Sequence, residues 1–210
     1  MLIFGLVLGA CAGEPGASVG DVANLKATYP PLSVDDELVA AGRQLCLTSG
    51  DADPELPLVL QDRREPDFAM MIFADDAVTV TCEVERTADE IRPWSQGIAG
   101  RWTSDSAAGS GGLSIMQAAA RDATSWDSAQ GVVPVGTTIV RVVVNDAAID
   151  AVIGQDLYSV TWPGGVPPTV LVALGSDGRE VARIGSAELA EIFDRPCDPA
   201  VSLGPCPSTP

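Results

Sequence analysis

The clearest pattern in the chain is a strict alternation. Over residues 78–84 (VTVTCEV), Val78, Val80, Cys82 and Val84 take turns with Thr79, Thr81 and Glu83. A period of two marks a strand with one face in a core, and it puts Cys82 on that face. A second apolar run, residues 68–73 (FAMMIF), precedes it across the turn Ala74-Asp75-Asp76-Ala77, and the two predict a hairpin. Residues 137–144 (TTIVRVVV) predict another strand, closed by the turn Asn145-Asp146-Ala147. Further strands are expected over 149–153 and 157–162. Residues 169–174 then meet 179–184 through Gly175-Ser176-Asp177-Gly178, a hairpin turn because Gly and Asp accept positive φ.

The helical period appears over residues 32–48, where Val34, Leu38, Ala41 and Leu45 share one face. Ser33 is placed to cap it, and Asp35, Asp36 and Glu37 occupy a first turn whose dipole favours acids. Thr48, Ser49 and Gly50 stop it. Cys46 sits in the last turn, one residue past the apolar face, so packing this helix on the buried face of 78–84 brings Cys46 within reach of Cys82. Residues 186–194 read as a short closing helix. Residues 50–67 read as a loop, 87–101 as one irregular strand, 103–112 as a flexible loop, and 113–120 fit strand or helix equally. The resulting fold class is α+β and strand-rich, with antiparallel, β-sandwich-like sheets, one N-terminal helix and a short C-terminal helix.

Composition sharpens this picture. Hydrophobic residues make up 46% and aromatics only 5%, so the core is built mainly of Val, Ala, Leu and Ile. The 21 Gly and 16 Pro call for many turns and short strands. With 29 Asp and Glu against 12 Lys and Arg, the net charge of -17 repels phosphate backbones and argues against nucleic acid as a partner. The acids are scattered, as solvated surface charges are.

Candidate chemistry is sparse. The chain has no histidine, which removes Ser-His-Asp and Cys-His catalysis and most zinc sites. The single lysine, Lys26, has Ala23 three positions before it, so Ser-x-x-Lys is absent. Gly16-Ala17-Ser18-Val19-Gly20 matches a nucleophile elbow in letters but follows no predicted strand. Asp51-Ala52-Asp53-Pro54-Glu55 resembles the start of a calcium loop, with Leu56 where the turn glycine belongs. No cofactor and no metal are expected. Tyr158 and Trp162, beside Gly164 and Gly165, are candidates for a sugar or peptide platform; the competing reading has Trp162 closing the end of a sheet core.

Residues 2–10 (LIFGLVLGA) form an uncharged apolar run too short to cross ~30 Å of hydrocarbon as a helix. It has the length of a signal-peptide core. Leu8-Gly9-Ala10-Cys11 resembles the lipobox of bacterial lipoproteins, although the usual basic residue ahead of the apolar run is missing. The resemblance implies a diacylglycerol on the Cys11 sulfur, cleavage before Cys11, and a membrane lipid as the partner of the mature chain. Two or three acyl chains give stable anchoring where one does not. The Gly- and Pro-rich residues that follow read as a flexible tether reaching ~25 Å.

With Cys11 lipidated, Cys46, Cys82, Cys197 and Cys206 remain. Four cysteines in an exported chain read as two disulfides with three possible connectivities. Cys46–Cys82 and Cys197–Cys206 are the favoured pairs, the second closing a Pro- and Gly-rich tail. The expected organisation is a signal peptide over 1–10, a lipidated tether over 11–31, a β-rich extracytoplasmic domain over 32–195 divisible into 32–126 and 132–195, and a disulfide-closed tail over 196–210. The strand spacing and the corner Trp162-Pro163-Gly164-Gly165 resemble small β-modules of exported actinobacterial proteins, a resemblance that implies no activity. The function expected is non-enzymatic: a lipid-anchored protein on the extracytoplasmic face of the cell membrane that binds another envelope protein or ligand, or supports the envelope. The alternative is a hydrolase acting on envelope polymers through carboxylates alone.

Overall fold

The computed structural model describes residues 19–48, 52–102, 112–119 and 126–193. The elements in chain order are α1 (Val19–Asn24), α2 (Asp36–Gly42), β1 (Leu58–Glu65), β2 (Phe68–Ala74), β3 (Val78–Arg86) and β4 (Ile91–Gly100). After these come β5 (Gln117–Ala119), β6 (Trp126–Val132), β7 (Thr137–Val144), β8 (Ala147–Asp150) and β9 (Val152–Gly154). The chain continues through β10 (Leu157–Pro163), β11 (Val170–Gly175), β12 (Glu180–Gly185) and α3 (Ser186–Phe193). The strands form three four-stranded sheets, ordered β1-β2-β3-β4, β5-β6-β10-β9 and β12-β11-β7-β8. Every strand pair in them is antiparallel.

Alternation along the strands turns these sheets into a stack. One face of the first sheet sends Met71, Phe73, Val80, Cys82 and Val84 against Leu38 and Leu47 of the helical segment. Its opposite face meets the second sheet, where Leu60 and Ile72 join Val132 and Leu157. The second sheet's far side, with Tyr158, Val160 and Trp162, forms the largest core with Val140, Val142 and Leu171 of the third sheet and Leu189 of α3. Val22 of α1 covers the outer face of the third sheet at Val143, Val170, Val172 and Leu174. Each buried side chain of this size contributes about 1.5–3 kcal/mol, and apolar contact holds the stack at each of its four junctions.

Several expectations need correction. The helix begins at Asp36, not near Leu32, because Asp35 rather than Ser33 caps it: Asp35 Oδ1 accepts the backbone N–H of Glu37 and of Leu38, each at 3.1 Å. Val34 therefore lies outside the helix and is 58% exposed. The span read as a loop holds β1, and β6 occupies residues assigned to no strand. The supposed boundary between 126 and 132 runs through β6, an inner strand of the second sheet, so 32–126 and 132–195 are not separate units. Nor is 19–31 a flexible tether. Val22 is fully buried, Arg141 binds the carbonyls that end α1, and Ala27 pairs with Ala148 in an isolated parallel bridge. Apolar residues at Val22, Ala23 and Leu25 supply a contact face that the surrounding Gly and Pro conceal.

Candidate functional site

The helical segment does not end at Gly42 but widens into a π-helical turn over Arg43–Leu47. The extra residue per turn rotates Cys46 from the helix flank into the core, where it is fully buried. Cys46 and Cys82 lie at disulfide distance, with Cα atoms 5.9 Å apart. Gly42 lies against this pair: a Cβ there would sit 3.5 Å from Cys82 Sγ and 2.5 Å from Cε at the flexible end of Met71. Gln96 of β4 donates to the Cys46 carbonyl and ties the same turn to the sheet edge. The lipidation candidate Cys11 and the proposed pair Cys197–Cys206 lie outside the described residues.

Tyr158 and Trp162 do not form a platform. Both side chains are 0% exposed, because alternation along β10 points them into the core between the second and third sheets. Tyr158 donates its hydroxyl to the Ser114 carbonyl at 3.0 Å, and burial pushes its phenol far above the ordinary range. Trp162 Nε1 donates to the Val166 carbonyl at 3.3 Å, and the Phe193 ring stands edge-on at 5.5 Å. These are the partners a buried amphipathic ring requires, and they leave no ring face for a ligand. Ser114 reaches this position only because Gly131 has no side chain: a Cβ there would lie 1.8 Å from the Ser114 oxygen.

The unexpected chemistry lies between the first and second sheets, where the apposed faces are partly polar. Asp62, Met70, Glu83 and Ser95 form one cross-strand row of the first sheet. Opposite them the second sheet presents Ser128, Gln130, Ser159 and Thr161, each at most 1% exposed. Glu83 accepts from Ser128 at 3.0 Å and from Ser95. Asp62 pairs with Arg64 at 2.6 Å. Burial raises the Asp62 carboxyl to about 6, opposed by the attraction of Arg64. Arg64 also donates to the carbonyls of Tyr29 and of Asp150, the latter at 2.7 Å, so one guanidinium joins the first sheet, the third sheet and the incoming chain. None of this was legible in a segment read as a loop. Its only trace in sequence is a charged cluster, Gln61-Asp62-Arg63-Arg64, with no glycine or proline inside it.

Two features mark the surface. An open groove of about 540 Å³ runs between α2 and the β3–β4 turn, bordered by Glu37, Arg86, Asp89, Glu90 and Ile91. Its one cation is engaged: Arg86 binds Glu37 at 2.9 Å and Asp35 at 3.4 Å. Asp35 is held below the usual carboxylate range, first by the N–H of Leu38 and further by Arg86 and Arg63. The second feature is the extended strap over 26–34, exposed along its length. Tyr29 is 46% exposed at a left-handed φ of 51°, with its ring edge-on to Trp126 at 5.8 Å. A left-handed tyrosine costs about 1–3 kcal/mol, and the Arg64 bond to its carbonyl offsets part of that.

Among the described residues no group of three or more His, Cys, Asp or Glu side chains is placed to hold a metal ion. No described helix is long and apolar enough to cross a membrane. Comparison with protein-family models, with curated proteins and with solved structures finds no match to this chain.

Proposed function

We propose that this chain is a lipid-anchored extracytoplasmic protein with a binding or envelope-structural role and no catalytic step. The observation that carries the reading is the apolar run ending in Leu8-Gly9-Ala10-Cys11, together with a pair of cysteines, Cys46 and Cys82, at disulfide distance in a buried position. Disulfides persist where thiols oxidise, and an acylated cysteine belongs to the same side of the membrane. The site chemistry is in keeping with it. The carboxylates Asp62 and Glu83 are both 0% exposed and committed to partners, an arrangement suited to holding sheets together rather than to attacking a polymer.

The test is mass spectrometry of the membrane-bound protein without reduction. Expected are acyl groups on Cys11 as the first residue and a peptide crosslinking Cys46 to Cys82. An unprocessed chain with reduced cysteines overturns the reading.

A further inference from the structure

Of the eight exposed large apolar side chains among the described residues, three fall within six positions of one another: Tyr29, Leu32 and Val34. They share the strap over 26–34 with Pro30 and Pro31, and Lys26 stands at its start. No acid occurs from Val22 to Val34, in a chain whose net charge is -17. Asp35, Asp36 and Glu37 bound the patch on one side. Asp35 is paired to Arg63 and Arg86, while Asp36 is exposed and Glu37 binds Arg86.

The strap is fixed to the body. Thr28 N donates to the Ala148 carbonyl at 2.7 Å, Leu32 N donates to the Arg63 carbonyl at 2.7 Å, and Arg64 holds Tyr29. It crosses from β8 of the third sheet to β1 of the first, so its exposed side chains are presented by a rigid frame. The distance to the lipid attachment candidate is bounded by covalent geometry. Val19 is eight positions from Cys11, at most ~28 Å of fully extended chain.

We infer that the strap rests on the bilayer that holds the acyl chains, with Tyr29, Leu32 and Val34 at the level of the head groups. This inference rests on the anchored reading of Cys11. A short leash keeps the body beside the membrane, and an acid-free apolar strap is the surface whose burial there costs least. An exposed tyrosine suits the interface between water and hydrocarbon, and a lysine stem lies along apolar surface with its ammonium among the head groups, where a water-soluble reagent reaches it less readily.

The experiment uses the full chain, purified from membranes of producing cells and reconstituted into phosphatidylcholine vesicles. Lys26 is the only lysine, so a water-soluble amine reagent followed by peptide mass spectrometry reads the strap directly. Lys26 is expected to react about fivefold more slowly than in a Leu32→Asp, Val34→Asp variant on the same vesicles, a ratio equal to ~1 kcal/mol. Both substituted positions are exposed, so the variant keeps its core. Equal rates with Cys11 acylated overturn the strap contact and leave the anchored reading standing. A Cys11 without acyl groups overturns both. Slow reaction in intact cells with fast reaction on vesicles assigns the strap to a protein partner and overturns the lipid contact.

Discussion

Arg64 Nε donates to Asp62 Oδ1 at 2.6 Å inside the molecule, where the two side chains are 1% and 0% exposed. Both charges come from one strand and face the second sheet, in a layer shared by the buried polar side chains Glu83, Ser128, Gln130, Ser159 and Thr161 and by the aliphatic Leu60, Ile72, Val132 and Leu157. Taking two ions out of water costs several kcal/mol each, and mutual attraction repays this only when further hydrogen bonds complete the shell. Arg64 meets that condition through Tyr29 and Asp150, while Asp62 Oδ2 has no hydrogen-bond partner among the described residues.

The Asp62 carboxyl titrates near 6 in the fold, against ~3.9 in an unfolded chain. Between those values the folded state holds more protons than the unfolded one, so this group's contribution falls as pH rises from ~4 to ~6 and is constant above. Two pH units correspond to roughly 3 kcal/mol. Urea denaturation of the natural chain and of Asp62→Asn at several pH values from 4 to 8 isolates the effect. The stability difference between them is expected to shift against the natural chain by that amount across the interval. A difference independent of pH contradicts the assignment.

Removing one partner of the pair leaves the other charged and buried. Arg64→Ala is expected to cost about 3–5 kcal/mol, measured by chemical denaturation. The double variant Asp62→Leu, Arg64→Met removes both buried charges and fills their space with apolar side chains, and it is expected to recover more than half of that loss. A double variant weaker than Arg64→Ala counts against this account of the pair.

Cys46 and Cys82 close a loop with a sequence separation of 36. In the chain-entropy account that constraint stabilises by about 4 kcal/mol. A Cys46→Ala, Cys82→Ala variant is expected to show that decrease in denaturant stability without loss of the β signature in far-UV circular dichroism. An unchanged unfolding midpoint refutes the crosslink.

Arg141 binds Asp150 through Nε at 2.6 Å and points Nη1 at the carbonyls of Val22, Ala23 and Leu25 at 2.8, 3.1 and 3.0 Å. Its planar fork makes contacts that an ammonium cannot all reproduce. Arg141→Lys is therefore expected to speed hydrogen exchange across residues 22–28 at least tenfold while leaving the amides of β10 and β11 protected. Uniform acceleration through the body means that Arg141 serves the whole core instead.

The residues that could be read from sequence are those with one kind of neighbour on each side. Residues 78–84 and 137–144 alternate or run apolar because helix or aliphatic sheet covers them, and β3 and β7 follow. β1 was hidden because its inward positions include Asp62 and Arg64, whose partners come from distant parts of the chain. β6 (WDSAQGV) was hidden for the same reason, since Ser128 and Gln130 face the polar layer. A buried polar face erases the contrast on which pattern reading depends. The approach of Cys46 to Cys82 was legible, but the π-helical turn that completes it was not, since a widened turn leaves no mark in the apolar spacing. Tyr158 and Trp162 illustrate the opposite limit: their spacing placed them on one face, and only the third sheet decides that this face is sealed.

If the chain is anchored as proposed above, the grip of Arg141 on α1 has a mechanical consequence. β7 is an inner strand, bonded to β11 on one side and β8 on the other. Tension from that end must strip a guanidinium from three carbonyls before it can disturb anything else. Once that grip is lost the load passes along the chain to the Thr28 N–H bond with the Ala148 carbonyl, on β8 at the edge of the third sheet. The short helix thus yields first, as a fuse does, ahead of the sheets behind it.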